Sequence, residues 1–150
     1  MKKKIFIWKK TCLLTIIFCL FSCSVLANEK VPYQIAGDIL LSDSSVYSIA
    51  ALDLIFTNKS IQPIRDFTIV FYLFDEDGNP PVMKRNGFVL KIDRKIESEE
   101  TANILINLDE YFSVIPDDDT EYQIDYLYVS GITYIDGTVY SDPFGLNFFY

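Results

Sequence analysis

The side chains best equipped for chemistry here are carboxylates and phenols: 21 acidic residues and ten tyrosines, with no histidine in 150 residues. Without an imidazole there is no Ser-His-Asp or Cys-His nucleophile and no His-bearing zinc site. No Gly-rich phosphate loop is present either. A carboxylate pair of the glycosidase kind remains conceivable and would need two acids about 5–10 Å apart in a cleft. Most of the acids fall instead in turn-like clusters, where Asp bonds its own backbone.

One such cluster, Asp75-Glu76-Asp77-Gly78-Asn79, carries oxygen ligands and a glycine in the order that opens a calcium loop, with Asp75, Asp77 and Asn79 as candidate ligands. It lacks the later bidentate Glu of an EF-hand. A second run, Asp117-Asp118-Asp119, is equally acidic. Calcium is the one metal the pattern admits, and no other cofactor is expected. The tyrosines offer a different chemistry. Tyr126, Tyr128, Tyr134 and Tyr140 alternate in a strand-like region and are able to stack on a sugar or a partner side chain. The competing role is cross-strand packing, for which tyrosine is well suited.

The positions of the cysteines set the compartment. Cys12, Cys19 and Cys23 all lie near the N-terminus, inside a segment that begins with Lys2, Lys3, Lys4, Lys9 and Lys10 and continues as an apolar run over residues 12–21. Charge, then a short apolar core, then small residues, is the order of a secretory signal peptide. The apolar core is about half the length of a membrane span. Two processing sites compete. Val25-Leu26-Ala27 suits a cut that makes residues 1–27 the leader and 28–150 the mature domain. Leu20-Phe21-Ser22-Cys23 resembles a lipobox, which would end the leader at residue 22 and lipidate Cys23; Phe21 stands where a small residue is usual.

Removing the five leader lysines leaves eight basic residues against 21 acidic ones, a net charge of −13. Such a chain is repelled by nucleic-acid phosphates and anionic membrane surfaces. No nucleic-acid partner is expected, and membrane contact only through a lipid on Cys23. With no disulfide available, the fold must rest on its core. Nine of the 12 phenylalanines and all ten tyrosines lie beyond Ala27 to supply it.

The elements that would position these residues are strands. Alternation and turn signals predict strands over residues 33–41, 46–57, 66–74, 88–93, 101–108 and 122–134, and a returning strand from Val139 that residues 144–150 extend or cap. On 66–74 both faces are largely apolar, which predicts a central strand. On 122–134, Tyr122, Ile124, Tyr126 and Tyr128 are expected on one side. Asp136-Gly137 predicts a two-residue hairpin with positive φ at both positions. One helical turn is expected within 109–115. About seven strands at this spacing predict an all-β, immunoglobulin-like or fibronectin-like antiparallel β-sandwich.

Ile115-Pro116 followed by Thr120-Glu121-Tyr122 resembles the tyrosine corner of such sandwiches, with Tyr122 in the structural role. Phe71-Tyr72-Leu73-Phe74-Asp75 resembles the signature of FxLYD-type domains, immunoglobulin-like modules of bacterial envelope and secreted proteins, with Phe74 in place of the usual Tyr. Asn58, Ile64 and Gly78 fit the same context. Glu97–Glu100 departs from it, since such domains usually carry a Pro-Gly turn there. The resemblance covers about residues 52–108 and implies no catalytic residues. The segment Ile132 to Gly145, with its Asp136-Gly137-Thr138 turn and its Asp142-Pro143-Phe144-Gly145 end, resembles uncharacterised exported proteins and has no activity attached to it.

The expected function is a non-catalytic exported binding or structural module of the cell envelope, with an unidentified protein or glycan partner. The alternatives are a calcium-dependent adhesion or carbohydrate-binding module, and a carboxylate-dependent hydrolase or accessory subunit. An envelope assembly subunit would instead present an exposed edge strand. Intact mass of the protein from its native host separates the two leaders. A soluble species starting at Asn28 identifies the cut after Ala27, and a membrane-bound, acylated species starting at Cys23 identifies the lipoprotein.

Overall fold

A computed structural model describes residues 31–41, 44–81, 86–112 and 120–147. The leader with Cys23, the Asp117–Asp119 run, Ile115-Pro116 and residues 148–150 lie outside the described residues. The chain divides into Met1–Lys30 and a domain, Val31–Tyr150.

Among the described residues the domain is an antiparallel β-sandwich of seven strands: β1 (Tyr33–Leu41), β2 (Ala50–Asn58), β3 (Ile64–Asp75), β4 (Gly87–Ile92), β5 (Thr101–Asn107), β6 (Tyr122–Tyr134) and β7 (Val139–Ser141). One sheet has the order β1-β2-β5 and the other β4-β3-β6-β7. The fourth strand stays beside the third, the fibronectin-like variant of the immunoglobulin-like order. Sequence alternation is translated directly into burial: Phe67, Ile69, Phe71 and Leu73 of β3 are fully buried between the sheets, against Leu52, Leu54 and Phe56 of β2. Phe56 stacks on Phe67 with ring centroids 4.2 Å apart, and Phe71 stacks on Phe88 at 5.0 Å. Burying each such ring stabilises the fold by roughly 1.5–3 kcal/mol. β3 is central, as its two apolar faces require.

Several local expectations are corrected. β2 begins at Ala50, not at Val46. The Asp109 carboxylate accepts the N–H groups of Ser48 (2.8 Å), Ile49 (2.8 Å) and Ala50 (3.1 Å), holding that stretch as a loop against the 3-10 turn Asp109–Tyr111. The Asp136-Gly137 hairpin is present, but only Gly137 has positive φ (88°). Its N–H bonds the Tyr134 carbonyl, and Tyr134 N–H bonds the Thr138 carbonyl. That is a three-residue loop closed by a glycine bulge. β7 stops at Ser141, and Phe144 to Asn147 turn away instead of extending it.

The largest correction concerns β6. Across from β3, Tyr72 pairs with Asp125 and Val70 with Tyr128, so Phe71 faces both Tyr126 and Leu127. Ser130 is a second extra residue, between the pairs Ile69–Val129 and Thr68–Gly131. Each bulge resets the alternation. Tyr122 and Ile124 face the core, then Leu127 and Val129, then Ile132 and Tyr134. Tyr126 and Tyr128 therefore lie on the opposite face from Tyr122 and Ile124.

Two polar anchors complete the frame. Fully buried Asn58 donates its amide to the Gln62 (2.8 Å) and Glu97 (3.0 Å) carbonyls and accepts from Ser60 N–H (2.9 Å). The Tyr33 hydroxyl accepts the Val129 N–H at 3.1 Å between the second bulge and the core, and burial pushes its pKa up.

At the Glu97–Glu100 turn, Glu100 N–H bonds the Glu97 carbonyl at 3.2 Å and Glu99 has φ of 60°. A positive φ at the third turn position belongs to a type II turn and favours glycine. Ser98-Glu99 thus holds a backbone that Pro-Gly would adopt without strain. Glu99→Gly is expected to stabilise the domain by about 1 kcal/mol, read as a higher urea midpoint at unchanged slope.

Candidate aromatic groove

The phase change in β6 has a local cause and a local product. Tyr126 sits at φ of 53°, a left-handed conformation uncommon for a bulky residue, and its N–H bonds the Asp125 carboxylate at 3.0 Å. Backbone strain of this kind costs on the order of 1–3 kcal/mol and is characteristic of functional positions. The product is an outward-facing ring. Tyr126 is 56 % exposed and meets Tyr72 edge-to-face, with centroids 6.1 Å apart and planes at 82°.

These two rings form one corner of a groove of about 460 Å³ on the outer face of the four-stranded sheet, lined by Tyr72, Phe74, Asn86, Tyr126, Tyr128 and Phe144. The volume falls in the range of small-molecule sites. Tyr72 and Phe74 reach it because β3 alternates, and Phe71 and Leu73 of the same FxLYD-like stretch go to the core. Gly87 on the neighbouring edge strand makes room for Tyr72: a Cβ there would lie 3.1 Å from its ring.

The opposite wall is built by Asp142-Pro143-Phe144-Gly145. The buried Asp142 carboxylate accepts the N–H groups of Leu146 and Asn147, both at 2.9 Å, and its own N–H bonds the Ser130 carbonyl. This closed turn presses Gly145 (φ 67°) on the Tyr128 ring, where a Cβ would come within 3.0 Å of it. The Tyr128 hydroxyl donates to the Pro143 carbonyl at 3.1 Å. Burial pushes the Tyr128 phenol's pKa up, and the Tyr72 phenol and Asp142 carboxylate push it the same way. Phe144 is left 75 % exposed on the rim.

The four expected stacking tyrosines are divided. Tyr126 and Tyr128 reach the groove, whereas Tyr134 is buried in the core and Tyr140 packs edge-on to Tyr33 at 6.1 Å. Asn86, Tyr72, Phe74 and Phe144 are groove residues that the sequence pattern did not assign to a site, since they come from three distant segments.

The Asp75 cluster has a definite backbone role. Asp75 Oδ1 accepts the N–H groups of Asp77 (3.0 Å) and Asn79 (2.6 Å), and Oδ2 accepts the Asn79 side-chain amide (3.1 Å). Gly78 has φ of 81° and bonds the Asp75 carbonyl, the same loop geometry as at Gly137. The Asn79 and Asp77 N–H groups hold the Asp75 carboxyl below its usual range against some desolvation. Among the described residues, no three acids, cysteines or histidines are grouped to hold a metal ion. Tyr122 is half-buried, edge-to-face with Phe112 at 5.5 Å; the upstream residues 113–119 lie outside the described ones.

A second cavity of about 360 Å³ opens between β4 and β5; among the described residues it carries one carboxylate, Glu110, and the aromatic groove carries none. Among the described residues, Asp38 and Asp53 pair directly across β1 and β2, both exposed on the outer face of the three-stranded sheet.

Among the described residues, the fold and groove together describe a seven-stranded sandwich that carries an aromatic groove on one sheet. No protein-family model matches the chain, and no curated protein does. Among solved structures it is similar to the X-ray structure of a hypothetical protein from Peptoclostridium difficile 630, with a TM-score of 0.56 and 13 % identity over 76 % of this chain and 88 % of that one. At this identity the likeness concerns the fold alone.

Packing and display should separate in mutants. Tyr140→Ala is expected to cost about 2 kcal/mol through lost core packing, while Tyr126→Ala should stay within about 0.5 kcal/mol of the parent. Thermal and urea unfolding of the two variants checks this.

Proposed function

We propose that this protein is a non-catalytic, exported binding module of the cell envelope whose recognition surface is the aromatic groove. The observation that carries the reading is Tyr126: a strained backbone, locked by Asp125, that spends stability to hold an exposed ring beside Tyr72. A rigid aromatic wall loses little side-chain freedom when a ligand docks, which favours affinity. The leader-like N-terminus and the resemblance to envelope modules support the location. Among the described residues the groove lining has no carboxylate, which favours binding over hydrolysis.

Saturation-transfer NMR with a panel of saccharides, peptides and small organic ions tests the reading. Ligand signals should depend on the groove and vanish in a Tyr126→Ala/Phe144→Ala double variant that unfolds like the parent. A panel ligand whose signal survives the double variant, or no signal at all, would overturn it.

A further inference from the structure

Resting on that reading, we infer that the groove recognises an organic cation, specifically a quaternary or methylated ammonium group. Three features of the site converge on this chemistry. The Tyr72 and Tyr126 rings stand at 82° to one another, and with Phe144 on the opposite rim they make a walled corner, not a flat platform. A corner of this shape fits a compact, rounded group, and aromatic rings turned toward a cation attract it through their quadrupoles.

The polar inventory agrees. Among the described residues the lining holds no charged side chain; its polar groups are one amide, Asn86, and the tyrosine phenols, of which the Tyr128 hydroxyl already donates to Pro143. A hydroxyl-rich sugar leaves unpaired groups in such a site, at a cost. A quaternary ammonium has no N–H and asks for no hydrogen bond at all.

Charge complementarity supplies the third feature. Asp125 pairs with Tyr72 across β3 and β6 and so shares its outer face at the edge of the groove. Asp142 lies beside Tyr128 on the other side. The chain as a whole carries a net charge of −8, which draws cations toward a site whose described walls are uncharged. The ligand is therefore held by ring faces, with the carboxylates contributing at longer range.

Isothermal titration of the protein with choline, and with its neutral isostere bearing a tert-butyl group in place of trimethylammonium, is the test. Choline should bind about tenfold more tightly than the isostere. Its affinity should fall in Tyr126→Ala and in Asp125→Asn, weaken with salt, and persist in Tyr126→Phe, which keeps the ring. Equal binding of the two compounds would overturn the cation assignment and leave the groove as an apolar binding site. The same holds if a saccharide or peptide, but not choline, binds in a Tyr126-dependent way. Binding of choline that is indifferent to Tyr126→Ala would overturn the placement, and absence of binding by every probe would remove both this inference and the reading beneath it.

Discussion

A strand's side chains alternate with a period of two, so one extra residue exchanges its faces. The outer surface of this domain depends on that constraint at Tyr126. Up to Ile124, β6 gives alternate residues to the core; without the bulge, the same phase would continue to Tyr126 and Tyr128. The inserted position turns Leu127 and Val129 inward and both tyrosines outward. A single left-handed residue thereby converts the middle of a long core strand into the wall of a groove. Its cost is borne by the neighbouring Asp125 carboxylate, which satisfies the N–H at the bulge, and by the inward packing of Leu127 and Val129.

The rest of the sandwich is organised to tolerate this. A second bulge at Ser130 returns the strand to the phase that buries Ile132 and Tyr134, and its carbonyl is taken by Asp142 N–H. Tyr33, from the other sheet, supplies the acceptor for Val129 N–H. A buried donor left without a partner costs about 1–3 kcal/mol, so this phenol stabilises the interrupted strand as well as filling core volume. It stacks with Phe56 and meets Tyr140 edge-on. Tyr33 thus ties β6 and β7 to the core through one hydrogen bond and two ring contacts.

Much of the framework was legible in the residues themselves. The alternation in 33–41 and 122–134 predicts strands with the observed limits, and the apolar two-sidedness of 66–74 predicts a central strand. Hydrophobic period is a local property, so a local reading finds it. A bulge is not local: it depends on which residue of β3 stands opposite, and nothing in Asp125-Tyr126-Leu127 alone signals the insertion. The groove is harder still. Its lining comes from 72 and 74, 86, 126 and 128, and 144, brought together only by sheet order. Asp109 illustrates the same limit, because its carboxylate holds residues 48–50 from about 60 positions away.

The acidic clusters show how residue type and role come apart. Asp75, Asp109 and Asp142 have the composition of ligands, yet each accepts two or more backbone N–H groups. In a domain without described disulfides these carboxylates fasten loops to strand ends, each fixing a turn at low residue cost. Asp142 does so at the groove, since the turn it closes carries Gly145 onto the Tyr128 ring and leaves Phe144 at the rim. The negative charge of the chain therefore has a structural use at individual loops and an electrostatic consequence at the groove. The two follow from the same side chains.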